Sequence, residues 1–123
     1  MTVLRTRTVI ALKLIKKSRK SHNCDYCNCK IEEGTPYHND TCVFDCYMYT
    51  WKSHPECREV GNFMAWKGIH DGNGVTSDWF EDFVCRRLYQ ECGYKKEDVK
   101  KMSYYEMAKF VYNDLKENKL KAN

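Results

Sequence analysis

The chain has 123 residues, 42% apolar and 31% charged, with a formal net charge of +4. These totals describe one soluble domain with a modest core, of a size that profits from a metal staple. No run approaches the ~18 apolar residues of a membrane helix, which excludes a membrane protein.

The charge is uneven. Residues 1–22 carry Arg5, Arg7, Lys13, Lys16, Lys17, Arg19 and Lys20 and no acid, while the remainder is slightly acidic. A basic N-terminal arm over 1–21 is attracted to phosphate or to an acidic protein surface; the plainer alternative is an edge strand guarded by lysines. Thr6–Ile15, β-branched and free of Gly and Pro, favours a strand, with a short helix the alternative that Ala11, Leu12 and Leu14 leave open, and Lys16–His22 is expected to be irregular. A secretory leader is not expected, since Lys13 interrupts the apolar run and no small-residue cleavage site follows, so the expected location is cytoplasmic.

Next comes Cys24-Asp25-Tyr26-Cys27, then a segment in which Gly34 permits a tight reversal and Ile31 can pack beneath a metal. Thr35–Val43 and Cys46–Trp51, dense in Thr, Tyr, Val and Trp, read as a hairpin that returns the chain to His54-Pro55-Glu56-Cys57. Pro55 and Glu56 suit the first turn of a helix, which Val60, Phe63 and Met64 continue to about Gly68. His70–Gly74 breaks it. A calcium loop there fails in register: with Gly74 at the sixth position the twelfth is Phe80, not an acid. Asp78, as N-cap, begins a helix to Cys92 whose core ladder is Phe80, Val84, Leu88 and Cys92, flanked by Phe83 and Trp79. Lys95–Met102 is a short helix. Ser103-Tyr104-Tyr105-Glu106 is a capping box opening a last helix, with Tyr104, Ala108, Val111 and Leu115 on its buried face and Lys116–Asn123 fraying.

The spacing of Cys24, Cys27, His54 and Cys57, two CxxC-like pairs bracketing a hairpin, brings four soft donors to one tetrahedral zinc. All four positions are filled by protein, so the metal is structural and no position remains for a water. A disulfide scaffold is the competing account of eight cysteines, but their density falls below the ~8–10% of such chains. Cys29, Cys42, Cys46, Cys85 and Cys92 read as small buried hydrophobes, with Cys29 close enough in sequence to exchange with Cys27. Tyr37, Tyr47, Tyr49 and Trp51 read as packing around the metal, with base stacking as the alternative.

Cys24-x-x-Cys27 with Ile31, Gly34 and Tyr37, then Tyr49-Thr50-Trp51-Lys52-x-His54-x-x-Cys57, resembles a treble-clef zinc finger, similar to those of poly(ADP-ribose) polymerases and the first half of LIM domains. With Gly74-Val75-Thr76-Ser77-Asp78 and its helix, the chain also resembles small proteins of phages and mobile elements. The likeness implies a knuckle, a hairpin and a helix holding one zinc, and an accessory or host-directed binding role; DNA-end binding, which the polymerase likeness implies, is not carried to particular residues.

The expected fold is α+β: an N-terminal strand, a treble-clef-like module over 22–69 and a helical part over 76–118, in a single domain 1–123. The expected function is non-enzymatic: engagement of nucleic acid, or of a complex that handles it, through Arg5, Arg7, Lys16, Lys17, Arg19 and Lys20. Alternatives are a phage-type inhibitor of a host enzyme or defence complex, and a small zinc-scaffolded nuclease, for which His22, His38 and His70 are unsuitably spaced. A Cys85 nucleophile served by His70 lacks any orienting signature.

Overall fold

The strand that organises the sheet runs from Tyr37 to Phe44, its β-branched and aromatic residues fitting a pleated surface. The computed structural model describes residues 8–44, 47–70 and 74–121. In chain order the strands are β1 (Thr8–Ala11), β2 (Leu14–Ile15), β3 (His22–Asn23), β4 (Lys30–Ile31), β5 (Tyr37–Phe44) and β6 (Tyr47–Ser53). The helices are α1 (Pro55–Lys67), α2 (Ser77–Gln90), α3 (Lys96–Lys100) and α4 (Tyr104–Lys121). The chain is therefore a mixed α+β structure.

β1 and β2 lie antiparallel along one edge of β5, and β6 along the other. The strand expected over Thr6–Ile15 is one ribbon with a register shift between Val9 and Ala11: Val9 faces Cys42, Ala11 faces Thr41, and Ile15 faces Tyr37. Such a bulge bends a strand and raises its twist. The segment expected to be an arm is thus, from Thr8 to Ile15, part of the sheet. Thr6, Arg5 and Arg7 lie outside the described residues. The hairpin forms as expected but with both strands displaced towards the C-terminus, pairing His38 with Ser53 at one end and Phe44 with Tyr47 at the other. A second, two-stranded sheet pairs β3 with β4.

α1 begins at Pro55 and ends on Gly68, whose φ of 73° closes the helix. α2 starts earlier than expected, with Thr76 rather than Asp78 at the N-cap, and stops at Gln90 instead of Cys92, where Gly93 at φ 77° turns the chain. Ser103 Oγ accepts the Glu106 N–H at 3.2 Å, as a capping residue should. The last helix does not end at Lys116 but continues to Lys121.

α4 packs across α1 and α2, and α1 touches β5. One core joins the cysteine segment to the helices: Cys24, Cys27, Ile31, Cys57, Val60, Met64, Phe80, Val84, Leu88, Ala108 and Val111 are all at most 1% exposed. Tyr26 sits at its centre, with ring centres of Trp51 and Phe80 each 5.1 Å away. The buried face of α4 departs from expectation by one residue. Tyr104 is exposed, and Tyr105 joins the core margin. No helix among the described residues is long and apolar enough to cross a membrane.

Candidate metal centre

Cys24 and Cys27 are brought together by a turn closed on both sides. The Cys24 N–H donates to Cys29 O, and the Asn28 N–H to Cys24 O, both at 2.9 Å. Asn28 takes φ 59°, a left-handed conformation that asparagine tolerates better than most residues. The β3–β4 pairing holds the turn at its base, and Gly34 at φ 84° makes the reversal beyond β4. A second clamp fixes β6 against it: Asp25 N–H donates to Lys52 O and Lys52 N–H to Asp25 Oδ2, each at 2.7 Å. The chain is thereby delivered to His54, and the first turn of α1 then turns Cys57 inward.

The donor atoms of Cys24, Cys27, His54 and Cys57 all lie within 4.8 Å of one another, and all four residues are buried. His54 Nδ1 is 3.5 Å from Cys27 Sγ and 3.7 Å from Cys57 Sγ. Tetrahedral zinc with bonds of ~2.3 Å to sulfur and ~2.0 Å to nitrogen needs about 3.6 Å between such donors, so the residues fit the ion. The tautomer also fits. His54 Nε2 lies 3.0 Å from the Lys30 carbonyl, which only accepts, so Nε2 carries the proton and Nδ1 presents its lone pair to the sulfurs. These four residues are positioned to bind one metal ion.

Electrostatics point the same way. Hydrogen bonding from Cys27 and then Cys57 holds the Cys24 thiol far below its ordinary range. The Cys24 sulfur pushes Cys27 far up, and Cys24 and then Cys27 do the same to Cys57. Three clustered thiols cannot all ionise alone, and a divalent cation removes that conflict while displacing their protons.

Three supports lay beyond sequence reasoning. The Lys30 carbonyl orients His54. Tyr105, from α4, stacks on the imidazole with centroids 3.7 Å apart and planes 13° from parallel. Its hydroxyl donates to Glu56 Oε2 at 2.8 Å, and its pKa is raised well above the tyrosine range, by burial first and then by that carboxylate. Adjacent tyrosines in one helix differ by a rotation of about 100°, and the apolar pattern of α4 was compatible with either, so no local signal distinguished them.

Ile31 is fully buried, as expected beneath the site. Of the four aromatics expected to cover it, Tyr37 is buried, Trp51 packs on the core and Tyr49 is half-buried, edge-on to Trp51, but Tyr47, at the start of β6, is 76% exposed. Of the cysteines expected to be buried, Cys42 is; Cys29, Cys85 and Cys92 are only partly covered, and Cys46 lies outside the described residues.

Lys16, Lys17, Arg19 and Lys20 come together. With Lys13, Leu14, Ile15, His22 and Tyr37 they line a concavity of about 810 Å³ beside β2. Lys13, His22 and Tyr37 were not singled out for this role from sequence. His22 is held below its ordinary pKa by burial and then by Lys52 and Lys20. Comparisons with protein-family models, with curated proteins and with solved structures found no match to this chain.

Proposed function

We propose that the chain is a zinc-stabilised, non-enzymatic binding protein of treble-clef type that engages nucleic acid, alone or within a complex that handles it. Zinc is favoured over other ions by the donor set, three thiolates and one imidazole, whose softness and tetrahedral spacing suit it. Four protein donors leave no coordination position for a reactive water, which supports a structural rather than catalytic metal. The turn, the hairpin and the helix starting beside Cys57 support the treble-clef reading.

The concavity lined by Lys13, Lys16, Lys17, Arg19 and Lys20 carries the functional reading. Five cations around one hollow concentrate positive potential beyond what scattered surface lysines produce, and among the described residues none of them is ion-paired with an acid. Such a hollow suits a phosphate backbone. The test is binding of a labelled single strand and a labelled duplex across a salt series. Neutralising five phosphates gives a slope of log K on log salt of about −3.5 to −4.5, and replacing Lys16, Lys17, Arg19 and Lys20 by Ala removes most of it. Absence of binding at low salt, or an affinity indifferent to salt, refutes the reading.

A further inference from the structure

A second cleft, of about 540 Å³, opens between the sheet and α1, with Leu12, Asp40, Trp51, Arg58, Asn62 and Val75 in its walls. It has a polar centre that the fold itself leaves incomplete. Asp40 is 5% exposed, yet only one of its carboxylate oxygens is used: Oδ2 accepts from Arg58 Nε at 3.0 Å, while Oδ1 is buried without a partner. A buried carboxylate oxygen lacking a donor is costly. Arg58 contributes the complementary half. Its side chain is 16% exposed and meets Asp40 through Nε alone, so among the described residues the two Nη groups of its fork make no ion pair.

Charge decides what such a site takes. Arg58 and Asp40 cancel, and His38, two residues along β5 from Asp40, is kept towards its neutral form by burial and then by Arg58. The Arg58–Asp40 pair therefore offers a free anion no net positive charge. It offers donors from Arg58 beside an acceptor on Asp40, with the Asn62 amide able to do either and apolar walls around them. The complementary ligand is neutral and planar, with an acceptor next to a donor.

We propose that this cleft receives a single unstacked nucleobase, read along its edge by Arg58 and Asp40. The proposal rests on the nucleic-acid reading above and adds to it a site for the base where the basic concavity holds phosphates. The two hollows draw on neighbouring residues of the chain, Leu12 lining the cleft and Lys13 and Leu14 the concavity. The volume suffices for a nucleoside, since ligand clefts begin near ~300 Å³. Guanine matches best, because O6 can accept from an Arg58 Nη group while the neighbouring N1–H donates to Asp40 Oδ1, for which that carboxylate must turn slightly towards the cleft.

Nucleosides without phosphate separate this site from the basic concavity. Guanosine, adenosine, cytidine and uridine are titrated into the metal-loaded protein while the Trp51 indole and Arg58 Nε–H signals are followed by NMR. Saturable shifts of both with guanosine, weaker with the others, are expected. Arg58→Lys, which keeps the charge and loses the fork, and Asn62→Ala, an exposed change that spares the core, each weaken guanosine binding about fivefold or more. Replacing Lys16, Lys17, Arg19 and Lys20 by Ala leaves guanosine binding unchanged. Absence of shifts with all four nucleosides, or guanosine binding that survives both Arg58→Lys and Asn62→Ala, overturns the proposal. Failure of the strand-binding salt series with guanosine binding intact instead removes the phosphate reading alone.

Discussion

Gly61 lies in the middle of α1, where helix propensity alone says that alanine is better by about 0.8–1 kcal/mol. Packing says the opposite. A β-carbon at position 61 would sit 2.5 Å from Cζ, 2.7 Å from Oη and 2.9 Å from Cε1 of Tyr26. To reach an ordinary contact of 3.4 Å, the helix and the ring must separate by about 0.9 Å. The ring cannot swing away, because Tyr26 is 4% exposed and held between Trp51 and Phe80. Nor can its backbone, because Tyr26 lies between Cys24 and Cys27. Overpacking of this kind costs about 1–3 kcal/mol, and the immobile ring argues for the upper part of that range. Less the propensity gain, Gly61→Ala should destabilise by about 1–2 kcal/mol. With an unfolding entropy of about 2.1 cal/mol/K per residue over 123 residues, the melting temperature falls by about 4–8 °C. Separating α1 from Tyr26 also moves Cys57 away from Cys24 and Cys27, so the variant should lose its metal faster to a chelator. Adding Tyr26→Leu should recover part of the loss, giving a double-mutant coupling of opposite sign to the single effect. Thermal and urea unfolding of the metal-loaded protein decide the matter: a Gly61→Ala variant as stable as the parent, or more so, refutes the close approach.

Cys24→Ser and Cys57→Ser should each abolish stoichiometric metal, measured as less than one ion per chain by elemental analysis, and should unfold the domain, since structural zinc binding is coupled to folding; an unchanged melting curve contradicts this. Tyr105→Phe removes only the hydrogen bond to Glu56 and should cost about 1 kcal/mol, whereas Tyr105→Ala strips the ring from His54 and should cost about 2–3 kcal/mol and speed chelator extraction. Equal effects of the two would show that the ring contact contributes nothing. His22 and His38 are both held below the ordinary histidine pKa in the folded chain, by burial first. The unfolded chain then binds protons first, so their contribution is present above about pH 6.5 and is lost as pH falls through the folded values. A His22→Gln, His38→Gln double variant should flatten the fall in unfolding free energy between pH 7 and pH 5, and an unaltered slope would show that these histidines are not its source.

The metal donors were legible because their information is local. A turn across Cys24 and Cys27 and a helix start at Pro55 each follow from a few neighbouring residues, and antiparallel hairpin geometry does the rest. Gly34 and Gly68 were legible for the same reason, each marking a left-handed position. What escaped depends on contacts between distant segments. The β1–β2 ribbon is recognisable as a strand, but its bulge is set by the register against β5. The choice of Thr76 over Asp78 as N-cap turns on how α2 meets the core, with Phe80 fully buried one turn in. Tyr105 was the least legible of all, because only the docking of α4 on α1 decides which of two neighbouring tyrosines meets His54.

The stacking of Tyr105 on His54 also orders assembly in time. All four donors emerge from the ribosome ahead of the ring that covers the histidine, which lies forty-nine residues beyond Glu56. A nascent chain can therefore take up its ion through an uncovered face while α4 is still being synthesised. Completion of the last helix then closes that face, so that loading comes first and locking second.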